Sequence, residues 1–226
     1  MVFLADSNID AIERQQMSAY DKTCVIYPDH LKDLERAITE IGAGKKVLDV
    51  GCSDGQVMEI IAKKRNDVFG VDLSKNAVEI AKKRGLKVKV GNLLEIPFEG
   101  SSFDVVFCSH VIEHIFDTNK ALKEFHRVLR KGGKLIIMTE NLNSLKERML
   151  FLFGRTPTVM ADPSHVKFFN PESIKKELSN ASFKVEKIKG TQIGFPIKGR
   201  CFFTHTWDFL FPTWLKEKMI VVSVKK

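Results

Sequence analysis

Short apolar runs alternate with amphipathic segments along the chain from residue 45 onward. The run Lys46–Val50 is largely apolar and is followed by a glycine, which is typical of a buried strand. The same pattern predicts further strands at residues 67–73, 86–90, 103–108, 134–139, 183–188 and 219–224. Helical spacing of apolar side chains predicts helices at residues 55–65, 75–84, 118–129, 145–153 and 170–181. Because strands covered on both faces are mostly apolar, we predict an α/β fold: a doubly wound, mostly parallel, seven-stranded sheet with helices on both faces.

A helical segment precedes this alternation. Leu31, Leu34, Ile38 and Ile41 recur at helical spacing and form one apolar stripe, which two nearby glycines end. We therefore divide the chain into an N-terminal helical segment over residues 1–44 and one domain over the remainder.

The last part of that domain, which spans residues 45–226, is rich in aromatic side chains. Ten of the seventeen phenylalanines and both tryptophans lie beyond residue 150. We predict an aromatic insertion at about residues 190–215, and two interpretations of it stay open. It packs on the sheet edge, or it forms a lid or a lipid-facing surface for peripheral membrane contact. The apolar members would be Phe202, Phe203, Trp207, Phe209, Phe211 and Trp214, and the flanking cations would be Lys198, Arg200, Lys216 and Lys218.

Composition places the protein among ordinary globular domains. Of its 226 residues, 44% are hydrophobic and 28% are charged, which excludes disordered and fibrous classes. The net charge of +8 permits weak attraction to polyanions or to an anionic membrane. However, the basic residues are scattered over predicted helix faces, so a nucleic-acid partner is not favoured.

Cysteine spacing and hydropathy bear on the compartment. The four cysteines form no CxxC pair, so we expect neither a zinc knuckle nor a dithiol motif, but reduced thiols, with Cys52 and Cys108 buried. The first residues do not follow a signal-peptide pattern, and no apolar stretch is long enough to span a bilayer. We therefore expect a cytoplasmic protein.

The turn after the first strand carries the clearest chemical signal. Gly51 and Gly55 flank a tight strand-to-helix turn, where backbone N–H groups can meet a polar ligand. Asp72 follows about 20 residues later, at the end of the second strand, which is the usual distance for an acid that binds ribose hydroxyls. A carboxylate accepts the two hydrogen bonds that a vicinal diol donates. Together these features indicate a nucleoside site.

Four segments in order, LDVGCSDG, GVDLS, GNLLEIPFEGSSFDVVFCSHVIEHI and LRKGGKLIIMT, resemble the class I S-adenosylmethionine-dependent methyltransferases, in particular their small-molecule and lipid branch. One departure is Ser53, which stands where the middle glycine of the first motif is usual. The resemblance implies a Rossmann-like methyltransferase fold, S-adenosylmethionine as cofactor, and methyl transfer to a small-molecule or lipid-like acceptor.

The resemblance also implies a role for each motif residue. Those implied to line the methionine and ribose portion of the cofactor are Asp49, Gly51, Ser53 and Gly55. Asp72 would bind the ribose hydroxyls, and those implied to contact adenine are Leu73, Asn92 and Leu93. Ser109 and His110 would face the reactive end of the cofactor.

Methyl transfer mainly requires alignment of the acceptor, and it needs a base only when the acceptor is a weak acid or a protonated amine. The candidate catalytic residues are His110, Glu113, His114 and His165. His110 and His114 would lie one turn apart if a helix begins there. An alternative interpretation makes the Glu113-His114 pair structural. We predict no metal site, because no second ligand cluster lies near these residues in the sequence.

Rival functions fit the motifs less well. GCSDG matches the hydrolase pattern G-x-S-x-G, but only one strand precedes it and no oxyanion segment is present. A dehydrogenase would need the G-x-G-x-x-G spacing, which the chain lacks. A nucleic-acid methyltransferase that acts on base amines would carry a proline-containing motif after the fourth strand, where Ser109 and His110 stand. A non-catalytic protein that binds S-adenosylmethionine stays open as an alternative.

Overall fold

The computed structural model of the protein describes residues 28–197, 200–204 and 211–226. The strands in these parts of the chain are β1 (Lys46–Val50), β2 (Asp67–Asp72), β3 (Lys87–Val90), β4 (Phe103–Ser109), β5 (Leu129–Glu140), β6 (Phe183–Gly190), β7 (Ile193–Ile197), β8 (Arg200–Thr204) and β9 (Lys218–Lys225). The α-helices are α1 (Pro28–Thr39), α2 (Gln56–Ala62), α3 (Lys75–Lys83), α4 (Thr118–Val128), α5 (Leu145–Leu152), α6 (Thr158–Ala161) and α7 (Pro171–Asn180).

Seven strands form one sheet in the order β3-β2-β1-β4-β5-β9-β6. The first five pair in parallel, and β9 runs antiparallel to both β5 and β6. The remaining strands, β7 and β8, follow β6 and precede β9 along the chain. They pair with each other in a separate antiparallel two-stranded sheet. This arrangement confirms the predicted doubly wound, mostly parallel, seven-stranded sheet. Strand order reverses between β1 and β4, and open α/β sheets bind their ligands at the carboxyl ends of the strands beside such a reversal.

Helices cover both faces of the sheet, as predicted. On one face α1, α2 and α3 bury apolar side chains that include Ile38, Met58 and Val78. On the other face α4 and α7 bury Leu122 and Ile174. The alternation of side chains along each strand supplies both apolar layers, because successive strand residues point to opposite faces.

Side-chain caps fix where helices begin on the second face. The Asn170 side chain accepts hydrogen bonds from the backbone N–H groups of Glu172 and Ser173, and Pro171 occupies the first turn of α7. Such caps satisfy backbone donors that the helix itself leaves unpaired.

Among the described helices, none combines the length and the apolar character needed to cross a bilayer.

Some element boundaries differ from the prediction. The helix predicted at residues 118–129 ends at Val128, and β5 begins at once, because Leu129 is already extended and pairs with Phe103. Leu31, which we expected on the apolar stripe of α1, is 37% exposed, whereas Leu34, Ile38 and Ile41 are buried.

Two predicted surface cations are buried instead. Lys216 packs across Gly190, where an added Cβ would lie 2.5 Å from the Lys216 Cδ atom. Lys218 is the first residue of β9, and its Nζ atom lies 3.6 Å from the buried Asp33 carboxylate on α1. The interpretation of these two lysines as interfacial cations is therefore wrong, because both side chains pack inside the protein.

Parts of two predictions lie outside the described residues. For the N-terminal helical segment, α1 is described and residues 1–27 are not. For the aromatic insertion, Phe211 is half-buried and Trp214 is exposed. The described side chains do not include Lys198, Arg200, Phe202, Phe203, Trp207 and Phe209.

Candidate active site

Backbone hydrogen bonds tie the turn after β1 to the end of β2. The N–H groups of Gly51 and Cys52 donate to the Val71 carbonyl, at 2.8 and 3.2 Å. The Asp72 carboxylate accepts one N–H from Ser53 at 2.8 Å and another from Ser74 at 2.9 Å. Asp72 therefore holds the turn in place, a role that sequence spacing does not predict. Because each carboxylate oxygen can accept more than one hydrogen bond, this role leaves acceptor capacity for a ligand.

The turn itself has an unusual backbone. Gly51, Ser53 and Gly55 all have a positive φ, at 70°, 48° and 86°. Ser53 thus adopts the left-handed conformation that favours glycine, which explains why glycine is usual at this position of the motif. A Cβ atom on Gly51 would overlap the side chain of Val111, which follows β4. The turn after β1 is therefore packed directly beneath the segment after β4.

Asp49 places a carboxylate beneath this turn. Its side chain is buried, and its Oδ2 atom has no hydrogen-bond partner among the described residues. Burial raises the pKa of Asp49 well above its ordinary value, and the negative charge of Asp72 raises this pKa further. A buried acceptor that lacks a protein donor suits a ligand with a positively charged or N–H group.

The residues expected to contact adenine lie at the ends of β2 and β3, which are paired neighbours. Leu73 directly follows β2 and is exposed. Asn92 follows β3, and its side-chain oxygen accepts the Leu94 N–H at 2.9 Å. Leu93 is half-buried against the core. The topology therefore brings these predicted residues to one edge of the sheet, together with the turn after β1.

The segment after β4 contains a second strained position. Ser109 is the last residue of β4, and His110 has a φ of 52°. A short 3₁₀ helix, Ile112–His114, follows. His110 and His114 are consequently not related by one α-helical turn, and that expectation is wrong. In this left-handed backbone conformation the His110 side chain lies beside Glu113. The distance between the His110 Nδ1 atom and the Glu113 Oε1 atom is 3.3 Å.

Glu113 is a buried carboxylate that two groups hold in place. Its Oε2 atom accepts a hydrogen bond from the Thr139 hydroxyl at 3.1 Å, and His110 faces Oε1. Burial alone raises the pKa of Glu113, but the close contact with the His110 ring outweighs it and holds this pKa below its ordinary value. Glu113 is therefore ionised at neutral pH.

His165 reaches this site from far along the chain. The N–H groups of Val166 and Lys167 both donate to the Glu113 carbonyl at 3.0 Å. This pairing lays residues 164–167 against the 3₁₀ helix, so the ring centroids of His114 and His165 lie 4.8 Å apart. Burial lowers the pKa of His114 and keeps its ring neutral. Both histidines are candidates from the sequence analysis, but no sequence pattern predicts that the two rings are neighbours.

Two cysteines, Cys52 and Cys108, lie buried beside the candidate site residues. Cys52 and Cys108 are buried and form no disulfide among the described residues, which confirms their predicted burial. Burial raises the pKa of each thiol, and nearby carboxylates raise it further. Since the thiolate is the reactive form, both residues serve as small core side chains.

A cavity of about 490 Å³ lies away from these residues. Its walls include Lys46 at the start of β1 and Phe103 at the start of β4, so it opens toward the amino ends of those strands. The predicted site residues lie at the carboxyl ends instead. This cavity is therefore separate from the candidate site, which the strained turns and the buried Asp49 carboxylate define.

Comparison with known proteins agrees with this geometry. Residues 48–137 match the family described as "Methyltransferase domain". A protein of Mycolicibacterium smegmatis named "probable S-adenosylmethionine-dependent methyltransferase" is 34% identical over 150 residues, which cover 66% of this chain and 55% of that protein. A ubiquinone biosynthesis O-methyltransferase of Acinetobacter baylyi is 28% identical over 160 residues, covering 66% and 67% of the two chains. The match thus spans between half and two thirds of these relatives.

A solved structure shows the same fold. A methyltransferase of Thermotoga maritima superposes with a TM-score of 0.64 at 22% identity, and the match covers 96% of each chain. At this identity the likeness shows the fold alone. Residues 48–137 belong to the methyltransferase domain family, and the sequence matches make the chain similar to S-adenosylmethionine-dependent methyltransferases.

The raised pKa of Asp49 predicts a pH-dependent gain in stability for Asp49→Asn. An acid whose pKa is raised in the folded state loses stability as pH rises from its unfolded value, near 3.9, through its folded value. Asparagine keeps the shape without the charge. The variant's Tm should therefore match wild type near pH 4 and exceed it increasingly toward pH 8. Each unit of upward shift is worth about 1.4 kcal/mol, or roughly 3–6 °C.

The control is Asp67→Asn, at the exposed amino end of β2, where no such rising gain is expected. Thermal unfolding of the ligand-free proteins across this pH range provides the measurement. A difference between Asp49→Asn and wild type that stays constant with pH would contradict the account.

Proposed function

We propose that this protein transfers the methyl group of S-adenosylmethionine to a small-molecule or lipid-like acceptor bound beside the segment after β4. The observation that carries the proposal is the strained turn after β1, tied to Asp72 and underlain by the buried carboxylate of Asp49. When bound, S-adenosylmethionine supplies a methyl group activated by a sulfonium sulfur.

The protein's own residues would bind and orient the cofactor. Asp72 would accept the ribose hydroxyls with the acceptor capacity that its two backbone hydrogen bonds leave. Asp49 would meet the positively charged end of the cofactor, where it lacks a donor among the described residues. The exposed side chain of Leu73 would pack on the adenine face, beside Asn92.

His110 is the residue that we propose as the general base. It lies at the end of β4, and its neighbour Val111 contacts the turn after β1. The Glu113 carboxylate faces its Nδ1 atom and thereby favours the tautomer with the proton on that nitrogen. The Nε2 atom then carries the lone pair that can accept a proton from an acceptor hydroxyl. Such orientation of an imidazole by a buried carboxylate is the arrangement used in catalytic triads.

The acceptor class draws support from one relative and from one surface. The relative from Acinetobacter baylyi is named as a ubiquinone biosynthesis O-methyltransferase, which favours an oxygen acceptor on a small molecule. Phe151, Leu152 and Phe153 form a run of three consecutive apolar side chains that are 73%, 74% and 68% exposed. This run lies at the end of α5, the helix that follows the carboxyl end of β5 along the chain.

The surroundings of this apolar run suit a lipid interface. The Arg148 guanidinium lies 4.9 Å from the ring of Trp214, which is itself 44% exposed. Exposed aromatic and aliphatic side chains beside arginines are typical of segments that lie in the headgroup region of a bilayer. Peripheral membrane contact would bring a lipid-like acceptor to the site. Two alternative functions stay open to activity assays. One is methyl transfer to a nucleic acid, and the other is binding of S-adenosylmethionine without methyl transfer to any acceptor.

Asp72→Ala should weaken the binding of S-adenosylhomocysteine by about 1.5–3 kcal/mol, roughly 10- to 150-fold, because it removes a charged acceptor. Isothermal titration calorimetry measures this loss. Asp67→Ala, at the other end of β2, is the matched control and should bind like wild type.

Asp72 also tethers the turn, so a second comparison separates the two roles. If Asp72 binds the diol, wild type should prefer adenosine to 2′,3′-dideoxyadenosine, and Asp72→Ala should lose that preference. Equal weakening of both nucleosides would show that Asp72 only holds the turn. Unchanged affinity for S-adenosylhomocysteine would remove the nucleoside assignment.

Replacing Phe151 and Phe153 with serine should reduce binding to vesicles of phosphatidylglycerol and phosphatidylcholine at least about tenfold. Burial of one such side chain is worth about 1.5–3 kcal/mol, and partial insertion of two gives at least one such increment. Cosedimentation with the vesicles measures the change. Leu31→Ser, on α1, is the control for loss of an exposed apolar side chain, and vesicle binding equal to wild type in the double variant would exclude this surface.

A further inference from the structure

Three metal-ligating side chains converge beside the proposed base. One carboxylate oxygen of Glu113 and one ring nitrogen each of His114 and His165 all lie within 4.8 Å of one another. Glu113 is buried and the two histidines are half-buried. The group joins residues from the 3₁₀ helix after β4 and from the segment before α7.

The hydrogen bonds of the two rings determine which nitrogen carries the lone pair. The Nδ1 atom of His114 lies 3.0 Å from the Ser164 carbonyl oxygen, and the Nδ1 atom of His165 lies 2.8 Å from the Val159 carbonyl oxygen. A carbonyl only accepts, so each Nδ1 must carry the proton and donate it. In a neutral ring the lone pair is then on Nε2. Metal-binding histidines typically hold their second nitrogen on a backbone carbonyl or a carboxylate in this way.

The Glu113 carboxylate has equivalent support. The Thr139 hydroxyl donates to its Oε2 atom, and the Nδ1 atom of His110 faces its Oε1 atom. Carboxylates that bind metals are likewise held by outer hydrogen bonds. Each of the three side chains is therefore oriented by a partner outside the cluster.

We propose that Glu113, His114 and His165 form a binding site for one divalent transition-metal ion, of the zinc or iron(II) class. Two imidazoles and one carboxylate are a ligand set that these ions favour. Bonds of about 2.0–2.2 Å place ligand atoms closer together than they lie here. Small side-chain rotations would close that difference.

The surroundings leave room for a further ligand. A cavity of about 10 Å³ is lined by residues that include Glu113, Thr139 and His165, which is enough for one water-sized group. Three protein ligands with one open position are typical of catalytic rather than structural zinc. Resting on the proposed function, the ion would hold an acceptor oxygen near His110 and promote its deprotonation.

Two purely structural roles of the cluster are distinguishable from a metal site. The contacts of His114 and His165 could serve only to hold residues 164–167 against the 3₁₀ helix. His165 could also form an ion pair with Asp162, whose Oδ2 atom lies 3.9 Å from the His165 Nε2 atom. Either role would change stability, and neither would create a stoichiometric site for a metal ion.

The test titrates chelator-treated, full-length protein with Co²⁺, followed by its visible absorption, and then displaces Co²⁺ with Zn²⁺. Wild type should bind one equivalent. His165→Ala and, separately, His114→Gln should each weaken binding at least about tenfold, the scale of losing even an outer partner. His126→Ala, on α4, removes a histidine outside the cluster and should bind like wild type. Asp162→Asn should also retain the site.

The contradicting results are equally specific. Absence of a one-to-one Co²⁺ complex in wild type would overturn the proposal, and so would equal losses in His126→Ala and His165→Ala. Thermal unfolding in metal-free buffer checks that each variant is folded, and His114→Gln provides the test if His165→Ala is not. Titration of the same metal-free protein with S-adenosylhomocysteine reports separately on the proposed function, so failure of one proposal is not mistaken for failure of the other.

Discussion

The hydrogen bond from the Ser53 N–H, in the turn after β1, to the Asp72 carboxylate is the interaction on which the candidate site depends. Three residues of that turn, Gly51, Ser53 and Gly55, hold left-handed backbone conformations, and Ser53 does so without the freedom of glycine. Asp72 offsets that strain by accepting the Ser53 N–H. The turn can then lie beneath the segment after β4, where no side chain fits on Gly51. The turn that we propose to bind the cofactor and the segment that we propose to bind the acceptor are thereby in contact.

A buried ionic network holds in place the two helices that precede the segment with His165. The Lys146 Nζ atom lies 2.6 Å from the Glu217 carboxylate and 3.1 Å from that of Glu147, and Glu147 also accepts the Thr158 N–H at 2.6 Å. These contacts anchor α5 and α6 to the start of β9. Removing one member of such a network leaves an uncompensated buried charge. The network therefore fixes α5 and α6, and the segment that carries His165 follows α6 along the chain. The hydrogen bonds of Val166 and Lys167 to the Glu113 carbonyl then bring His165 to His114.

Sequence patterns predicted the features that short-range rules govern. The bounds of β1 were correct to the residue, since a short apolar run bounded by glycine has few alternatives. The distance from the glycine turn to Asp72 follows from the length of one β–α–β unit. By contrast, the approach of His165 to His114 depends on backbone hydrogen bonds between segments that are far apart in the chain, which no local pattern encodes. Lys218 was misassigned for a similar reason, because its buried partner Asp33 lies on a distant helix.

A crystal structure of the protein with S-adenosylhomocysteine tests the central claim most directly. The account predicts density along the turn after β1, with the ribose hydroxyls within hydrogen-bond distance of Asp72 and the amino-acid portion beside Asp49. Density confined to the cavity at Lys46 and Phe103, or a ribose remote from Asp72, would contradict it.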